Sequence, residues 1–346
     1  MTGRRLYLER SPGEDRAVVT LDGRPERLWV ERLGAPQIAG LGACYLARAA
    51  RLDRSLGAAF LDLGGQEQAL LSLTGPAKAL AEGQAVEIEI AAEARRGKLA
   101  QARFLGMGQG APRRLDAPVA LAERLQAFAP GVAVTEGAAA REAADLAEEA
   151  ALAIEHPMPG GGSLAIEPTR ALVAVDVDLG ERGGTRGRAA AQANLTAIRM
   201  AARLLRLKAL GGLVVLDLVG EGGDGRTLAE IARQAFEPDG PGVVIGPVSR
   251  LGLLQLALPH RRRPVAEQLC EADGRLSAAS WANRLARSLA REAEADRGAR
   301  LGVSCAPAVL DALQPALAAL EAAFGARFDL RADPARDWSS FDVRSA

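Results

Sequence analysis

The chain has 346 residues, of which 49% are hydrophobic and 25% are charged, and these are ordinary values for a globular protein. Its 43 basic residues balance its 43 acidic residues, so the overall charge gives no sign of nucleic-acid binding and any such site must be a local patch. The odd number of cysteines argues against a disulfide framework, no apolar run approaches the length of a membrane span, and we expect a cytoplasmic protein.

The first third of the chain predicts short β-strands. Residues 4–33 alternate apolar and polar side chains around turns such as Asp22-Gly23, which indicates a small antiparallel unit. Further short strands between residues 43 and 90 have the spacing of a small barrel. Residues 106–118 are rich in glycine and proline and predict a linker.

The rest of the chain predicts helices followed by α/β elements. A strand, a helix and a second strand in one sheet favour parallel neighbours with a right-handed connection. The predicted elements after the linker are helices at 119–131 and 138–155, strands at 163–167 and 172–177, a helix at 188–210, a strand at 213–218, a helix at 226–236, a strand at 243–250, and a mostly helical segment at 277–325 with strands near Val303 and Phe328.

Two of the predicted strands carry aspartates among aliphatic residues, Asp176 and Asp178 on the first and Asp217 on the second. We expect each carboxylate in such a run to need a cation or dense hydrogen bonding, because burying a charge costs several kcal/mol. Parallel pairing would place Asp176 and Asp217 at the carboxyl ends of adjacent strands, where α/β sheets bind ligands. Asp178 would lie on the same face as Asp176, about 6 to 7 Å away.

Carboxylate oxygens of this kind suit Mg²⁺, which takes one or two carboxylates together with water and substrate phosphate oxygens. The pattern therefore favours a metal-assisted phosphodiesterase. The alternative is that an aspartate at a strand end caps a helix or closes an Asx-turn.

Several other side chains are candidates for binding an anion. In the loop 181–188, glycines would let backbone N–H groups approach a phosphate that Arg182 and Arg186 hold. Arg95 and Lys98 lie in a charged turn, for which a solvated surface is the commoner interpretation. His156 and His260 have no partners at ligand spacing, which favours surface or capping roles.

Several motifs occur along the chain, at 161–166, 171–178, 185–187, 194–195, 206–217 and 249–254, with a further one at 55–64 in the predicted barrel. In their residues and their order they resemble the ribonuclease E/G family over nearly the whole chain. The resemblance implies an α/β (α+β) protein, with a ribonuclease-H-like and deoxyribonuclease-like catalytic region, an inserted OB-fold barrel and a small C-terminal α/β domain. The domains it implies are the N-terminal ribonuclease-H-like part at 1–36, the RNA-binding barrel at 37–106, a linker and remnant at 107–160, the deoxyribonuclease-like domain at 161–265 and the small domain at 266–346.

The resemblance also assigns roles to residues. It implies metal binding by Asp176 and Asp217, with Asp178 at a third active-site position where the family usually has asparagine. Phe60 corresponds to a base-stacking aromatic, and Leu70 replaces the family's second one. Further positions implied to contact RNA are Arg95, Lys98, Arg182, Arg186, Asn194 and Arg250, although Asn194 and Arg250 have bonding to the backbone as an alternative.

The implied activity is that of an endoribonuclease, dependent on Mg²⁺ with Mn²⁺ as an alternative, which cleaves single-stranded RNA to 5′-phosphate and 3′-hydroxyl ends in RNA processing or decay. Sensing of the RNA 5′ end should be reduced, because the region before Gly160 is short. Only Cys270 remains of the family's zinc-binding pair, so we expect neither zinc nor a zinc-linked oligomer, while a homodimer stays open. The competing hypothesis is a catalytically weak or inactive RNA-binding protein of the same fold.

Overall fold

The computed structural model describes residues 3–34, 39–181, 186–220 and 224–345. Its strands are β1 Arg4–Arg10, β2 Glu14–Leu21, β3 Arg24–Arg32, β4 Cys44–Asp53, β5 Ala58–Asp62, β6 Gln68–Ser72, β7 Ala85–Ala92, β8 Ala100–Met107, β9 Arg113–Arg114, β10 Val134–Thr135, β11 Glu155–Pro157, β12 Ser163–Pro168, β13 Val173–Asp178, β14 Gly212–Asp217, β15 Val244–Val248, β16 Leu253–Leu258, β17 Leu301–Cys305, β18 Phe328–Ala332 and β19 Phe341–Ser345. Its α-helices are α1 Leu121–Phe128, α2 Ala138–Leu152, α3 Arg186–Lys208, α4 Gly225–Phe236, α5 Val265–Leu269, α6 Ala278–Ala295 and α7 Pro307–Phe324, and short 3₁₀ helices occupy Gly75–Ala79 and Glu237–Asp239.

The chain divides into two compact units. The first unit combines residues 1–36, 120–148 and 265–346, and the second combines residues 37–119 and 149–264. Each unit therefore joins segments that the sequence assigned to separate domains. In the described part of the chain, no helix is both long enough and apolar enough to span a membrane.

The first unit contains two small sheets. One has the strand order β10-β1-β2-β3, and its apolar side chains, such as Leu6 and Leu8, pack against Leu121 and Leu125 of α1. The other has the order β18-β17-β19 and shares a core with α6 and α7. The alternation of buried and exposed residues along β1 explains the predicted antiparallel unit, although pairing with the distant β10 was not predicted.

The first unit also buries a group of charges. Arg16 is 1% exposed, and its guanidinium donates to Glu9 at 2.5 Å, to Asp145 at 2.6 Å and to Glu148 at 2.8 Å. Glu148 accepts in addition from Arg284 at 2.7 Å and from Arg287 at 3.4 Å. This arginine network thus connects β1 and β2 with α2 and α6.

The second unit begins with a closed barrel. Five strands follow the order β5-β6-β8-β7-β4, and pairing between β5 and β4 closes the ring. The two-residue strand β9 pairs with β4 in addition. The interior holds small and branched side chains such as Ala47, Ala59, Leu61 and Ile88, all at most 1% exposed. The predicted barrel is confirmed.

A six-stranded sheet completes the second unit, in the order β11-β12-β13-β14-β16-β15. Only the β13–β14 pair is parallel, and α3 forms the connection between these two strands and packs against β12 and β13. The strand predicted at 243–250 is β15. β16 was not predicted from the sequence, and it lies between β14 and β15 and pairs antiparallel with both.

Candidate active site

Asp176 and Asp217 are direct partners in the parallel ladder of β13 and β14. Adjacent strands lie about 4.8 Å apart, so the two carboxylates project side by side from neighbouring strand ends. The strand, helix and strand order predicted this arrangement, and the structure contains it. Asp178 follows two residues later on the same face of β13.

All three aspartates are exposed, so the expectation that they are buried among aliphatic residues is wrong. On β13 the buried positions are Val173, Val175 and Val177, and the aspartates alternate with them toward the open face of the sheet. Asp217 is likewise exposed at the end of β14. Their position among aliphatic residues therefore creates no burial penalty that a cation must offset. The case for a metal rests on the closeness of two carboxylates.

Asp178 is engaged in a local turn. Its Oδ1 accepts a hydrogen bond from the Gly180 backbone N–H at 3.1 Å, which closes an Asx-turn. This is the structural role that the sequence left open as the alternative to metal binding. One carboxylate oxygen remains outside this bond, so the turn fixes Asp178 without excluding a role in the site.

Close backbone packing sets the position of that turn. Gly162 has a φ of +73°, and a Cβ atom there would lie 2.1 Å from the Asp178 carbonyl oxygen. Gly180 has a φ of +54°, and its Cβ would lie 2.9 Å from Gly162 Cα. Only glycine satisfies both the conformation and the contact. The glycine-rich motif at 161–163 thus brings its loop against the chain that carries Asp178.

Asn194 holds the chain that follows Asp217. The side chain is 1% exposed on α3, its amide donates to the Val219 carbonyl at 3.2 Å, and its Oδ1 accepts from the Val219 N–H at 2.9 Å. A side chain buried in this way does not reach RNA directly. The structure therefore corrects the expected direct contact to a positioning role, and it matches the alternative of bonding to the backbone.

Arg250 lies at the same end of the sheet as the aspartates. It is an exposed residue in the turn between β15 and β16, and Leu253, the first residue of β16, is the register partner of Asp217. The Ser249 hydroxyl accepts from the Leu251 and Leu253 N–H groups at 3.3 and 3.2 Å and shapes this turn. Arg250 is thus placed where it can meet a phosphate near Asp217.

The predicted phosphate loop falls largely outside the described residues. Arg182 is not described, and for Arg186 only the backbone, which begins α3, is described. Their predicted contacts with RNA stay predictions.

Phe60 lies on the outer surface of the barrel, half-buried on β5. Its register partners are Arg51 on β4 and Leu70 on β6, and the Arg51 guanidinium carbon lies 4.0 Å from the centre of the Phe60 ring. This is a cation–π contact. Arg51 was not predicted as a site residue, although its place opposite Phe60 across a short hairpin was a usable signal. We call Arg51, Phe60 and Leu70 the barrel row.

Arg95 and Lys98 form the two ends of a tight turn. Their backbones exchange hydrogen bonds of 3.1 and 2.8 Å, and Gly97 has a φ of +72°. Glu93, two residues before this turn, is bonded to residues 261 and 263, which follow β16. The turn therefore lies near the end of β16 remote from Asp217, about 17 Å away along the strand. The structure does not bring Arg95 and Lys98 to the aspartates.

The donor set at the strand ends fits a hard divalent cation with few protein ligands. Across the described ranges, no group of three or more His, Cys, Asp or Glu side chains is arranged to hold a metal. Two adjacent carboxylates remain, Asp176 and Asp217, and Mg²⁺ commonly uses one or two carboxylates and completes its shell with water and phosphate oxygens. The pair suits Mg²⁺ and does not suit zinc, which needs four closed ligands in structural sites.

A second group of titratable residues lies at the other end of α3. The Lys208 ammonium donates to the carbonyls of Ala151, at 3.1 Å, and Ala153, and burial lowers its pKa to about 8. Burial, with the nearby charges of Lys208 and Arg203, lowers the pKa of His156 to about 4. His156 is 6% exposed, so the expected surface position is wrong, while its bond to the Ala153 backbone agrees with a capping role.

A pocket of about 290 Å³ lies in the first unit. Its arginines are paired with acids: Arg141 with Glu294 at 3.2 Å, and Arg10 with Asp15 at 3.3 Å. The paired charges give no reason to place a phosphate there.

A family comparison covers the six-stranded sheet. The model of the ribonuclease E/G family matches residues 135–263, a segment that contains all six strands of the sheet and its paired aspartates. The resemblance to this family that the motifs predicted is confirmed for that segment.

Three individual relatives from the same family are similar to parts of this chain. The chloroplastic ribonuclease E/G-like protein of Arabidopsis thaliana is 34% identical over 134 residues, which are 35% of this chain and 13% of that protein. Ribonuclease E of Haemophilus influenzae is 38% identical over 113 residues, 32% of this chain and 12% of that protein. Ribonuclease G of Salmonella typhimurium is 28% identical over 201 residues, 54% of this chain and 41% of that protein. The chain thus spans only a small part of the first two relatives and less than half of the third.

Proposed function

We propose that the protein is a Mg²⁺-dependent endoribonuclease that cleaves single-stranded RNA to 5′-phosphate and 3′-hydroxyl ends, in RNA processing or decay. The observation that carries the proposal is the register pairing of Asp176 and Asp217 on the open face of a sheet that matches the family. The names of the relatives, ribonuclease E and ribonuclease G, support the choice of RNA as substrate.

The residues have distinct roles in this proposal. Asp176 and Asp217 hold the metal, Asp178 lies beside them, and Arg250 binds a phosphate next to the scissile one. Bound there, Mg²⁺ would polarise a phosphoryl oxygen and lower the pKa of a coordinated water. Water adds to the scissile phosphorus, the bond from phosphorus to O3′ breaks, and O3′ leaves as a hydroxyl after taking up a proton. Asn194 and Gly162 act indirectly, by fixing the loops that carry the aspartates.

The barrel supports a preference for unpaired RNA. Aromatic and guanidinium groups on an open barrel surface stack bases that a duplex would keep buried. The barrel row offers one aromatic ring, with Leu70 beside it, so base selectivity should be low. The same proposal includes little sensing of the RNA 5′ end and a homodimer that does not depend on zinc.

A competing function is a non-catalytic RNA-binding protein. The Asx-turn at Asp178 favours it, because the third carboxylate already has a structural partner. The two functions differ in their dependence on metal. A binder keeps its affinity for RNA in EDTA and gives no products when Mg²⁺ or Mn²⁺ is added.

The decisive experiment is cleavage of a labelled, AU-rich single-stranded RNA by wild type and by Asp217→Asn in Mg²⁺. We expect cleavage by wild type and a loss of about 100-fold or more in the variant, since several kcal/mol of transition-state stabilisation depend on the metal. The 5′-hydroxyl and 5′-monophosphate forms of the RNA should be cut at similar rates.

Glu230→Gln provides the matched control, because this exposed carboxylate lies on α4 and outside the site. Its cleavage rate should equal that of wild type. Folded wild-type protein that leaves the RNA intact in both Mg²⁺ and Mn²⁺ contradicts the nuclease proposal and supports the binder.

A further inference from the structure

Gln255 lies beside the paired aspartates on the open face of the six-stranded sheet. Leu253 is the register partner of Asp217, and Gln255 follows it two residues later on β16. Residues two positions apart on a strand point to the same face, so Asp217 and Gln255 are diagonal neighbours about 7 to 8 Å apart. The Gln255 side chain can therefore reach part of a ligand that is bound at Asp217.

Gln255 borders a row of short apolar side chains that crosses the sheet. Its register partner on β14 is Val215, and the register partner of Val215 on β13 is Ala174. Val215 and Ala174 are half-buried, while Gln255 is exposed. We call Ala174, Val215 and Gln255 the sheet row. The sheet row combines a small apolar surface with one exposed polar group at its side.

The next row along the same strands is apolar and exposed. Leu213 pairs with Ala257, and Ala257 pairs with Val244. Leu213 is 48% exposed and Val244 is 64% exposed. Apolar side chains that lie exposed next to one another and beside polar groups mark a binding surface. Together with the sheet row, they continue the open face away from the aspartates and provide apolar area on which the face of a base can rest.

The Gln255 amide is available to a ligand. It is exposed, and within the described residues no hydrogen bond or ion pair engages it. An amide group presents a carbonyl acceptor and N–H donors side by side. Adenine presents the complementary pair, an amino donor beside a ring-nitrogen acceptor, and glutamine binds adenine through both. In single-stranded RNA the edges of the bases are open to such contacts.

We propose that the sheet row is a base-binding site for the nucleotide next to the scissile phosphate, and that Gln255 recognises adenine there. The inference rests on the proposed function, because it adds a specificity-determining residue to the same site. With the scissile phosphate at Asp176 and Asp217, the adjoining base lies over Val215 and its edge meets the Gln255 amide. The base selectivity that the barrel row lacks therefore arises beside the cleaved bond.

The test compares two labelled single-stranded RNAs, one of uridine alone and one with a single adenosine in the middle, cleaved by the full chain in Mg²⁺. Mapping the products gives the rate at each bond. Wild type should cut one of the two bonds that flank the adenosine about tenfold faster than a bond between uridines, the effect of one bidentate base contact. Gln255→Leu removes the donor and the acceptor and keeps a side chain of similar size, so the preference should disappear while the uridine RNA is still cut.

Gln234→Leu is the matched control, because Gln234 is an exposed glutamine on α4 and lies outside the site. This variant should keep the wild-type preference. Both substitutions are at exposed positions, where a change of side chain has little effect on stability, so both variants should fold. A purely structural role of Gln255 lowers the rates on the two RNAs by the same factor, whereas a specificity-determining role changes their ratio. A Gln255→Leu variant that keeps the wild-type ratio overturns the assignment of Gln255.

The outcomes separate this inference from the proposed function. Wild type that cuts both RNAs at equal rates overturns the base-binding site alone. Wild type that cuts neither RNA overturns the proposed nuclease, and binding of the two RNAs in Mg²⁺ then decides the base-binding site. Tighter binding of the adenosine RNA by wild type, lost in Gln255→Leu, supports the site. Equal affinities for the two RNAs, or no binding of either, overturn it.

Discussion

At the scale of single residues, Asp178 combines a structural and a candidate functional role. One oxygen closes the turn with Gly180, and the side chain stays exposed beside Asp176. An asparagine at this position, as the family usually has, would keep an oxygen to accept the same hydrogen bond. The aspartate therefore differs from it mainly in charge.

The variant Asp178→Asn should keep the stability of the protein within about 0.5 kcal/mol, because the turn bond survives. RNA binding in EDTA should become about threefold tighter, since one negative charge beside the proposed site of the scissile phosphate is removed. The Mg²⁺ concentration that gives half-maximal cleavage should rise. Titrations of RNA and of Mg²⁺ measure the two effects, and weaker RNA binding by the folded variant would contradict this account.

His156 gives a prediction about pH. Its pKa is about 4 in the folded protein, against an ordinary value of 6.5, so between these pH values the unfolded chain binds a proton that the folded chain does not. The free energy of unfolding should therefore be highest above pH 6.5 and fall by about 3 kcal/mol as the pH drops to 4. Urea unfolding of wild type and His156→Gln across this window measures the difference. Parallel pH profiles for the two proteins would contradict the assignment.

At the scale of elements, the barrel row depends on the register of three strands. Arg51, Phe60 and Leu70 come from β4, β5 and β6 and are brought side by side by direct pairing. A shift of one residue in either pair would turn Phe60 into the barrel interior. The cation–π contact with Arg51 then holds the ring in place at the surface.

Phe60→Ala should weaken RNA binding by roughly tenfold, since stacking of one base contributes about 1 to 3 kcal/mol. Arg51→Lys should keep the salt dependence of binding and lose part of the affinity, because lysine keeps the charge without the planar group. Binding titrations at several salt concentrations measure both. If Phe60→Ala lowers the thermal midpoint and leaves affinity unchanged, Phe60 is a core residue instead.

The elements also show what a single sequence can predict. The order of strand, helix and strand was enough to pair Asp176 with Asp217, because the handedness and direction of such connections are nearly fixed. The exposure of these aspartates was not predictable, since aliphatic neighbours do not reveal which face of a sheet a helix covers. β16 was missed because its six residues follow β15 after a short turn, and only tertiary pairing separates the two strands.

At the scale of the whole molecule, long-range charge pairs were the least predictable feature. The arginine network of the first unit joins Arg16 to Glu148, 132 residues apart in the chain. Burial opposes the ionisation of Glu148, but the charges of Arg287, Arg16 and Arg284 outweigh it and lower its pKa. The network thus ties all three segments of the unit together.

Glu148→Gln should destabilise the first unit by about 3 kcal/mol, because it leaves buried guanidinium groups with too little negative charge. Glu142→Gln, an exposed carboxylate on the same helix, is the control and should change stability by less than about 0.5 kcal/mol. Urea unfolding of both variants measures the effect. Equal midpoints for the two would show that the network does not stabilise the unit.

The pairing of Asp176 with Asp217 has a consequence for how this site changes in evolution. The ladder between β13 and β14 sets the alignment of the two carboxylates, so the connection through α3 can lengthen or shorten without separating them. An insertion or deletion of one residue inside either strand, in contrast, would move one aspartate to the face that α3 covers. Relatives that conserve the site should therefore vary in the spacing between the two aspartates and keep the length of the strands that carry them.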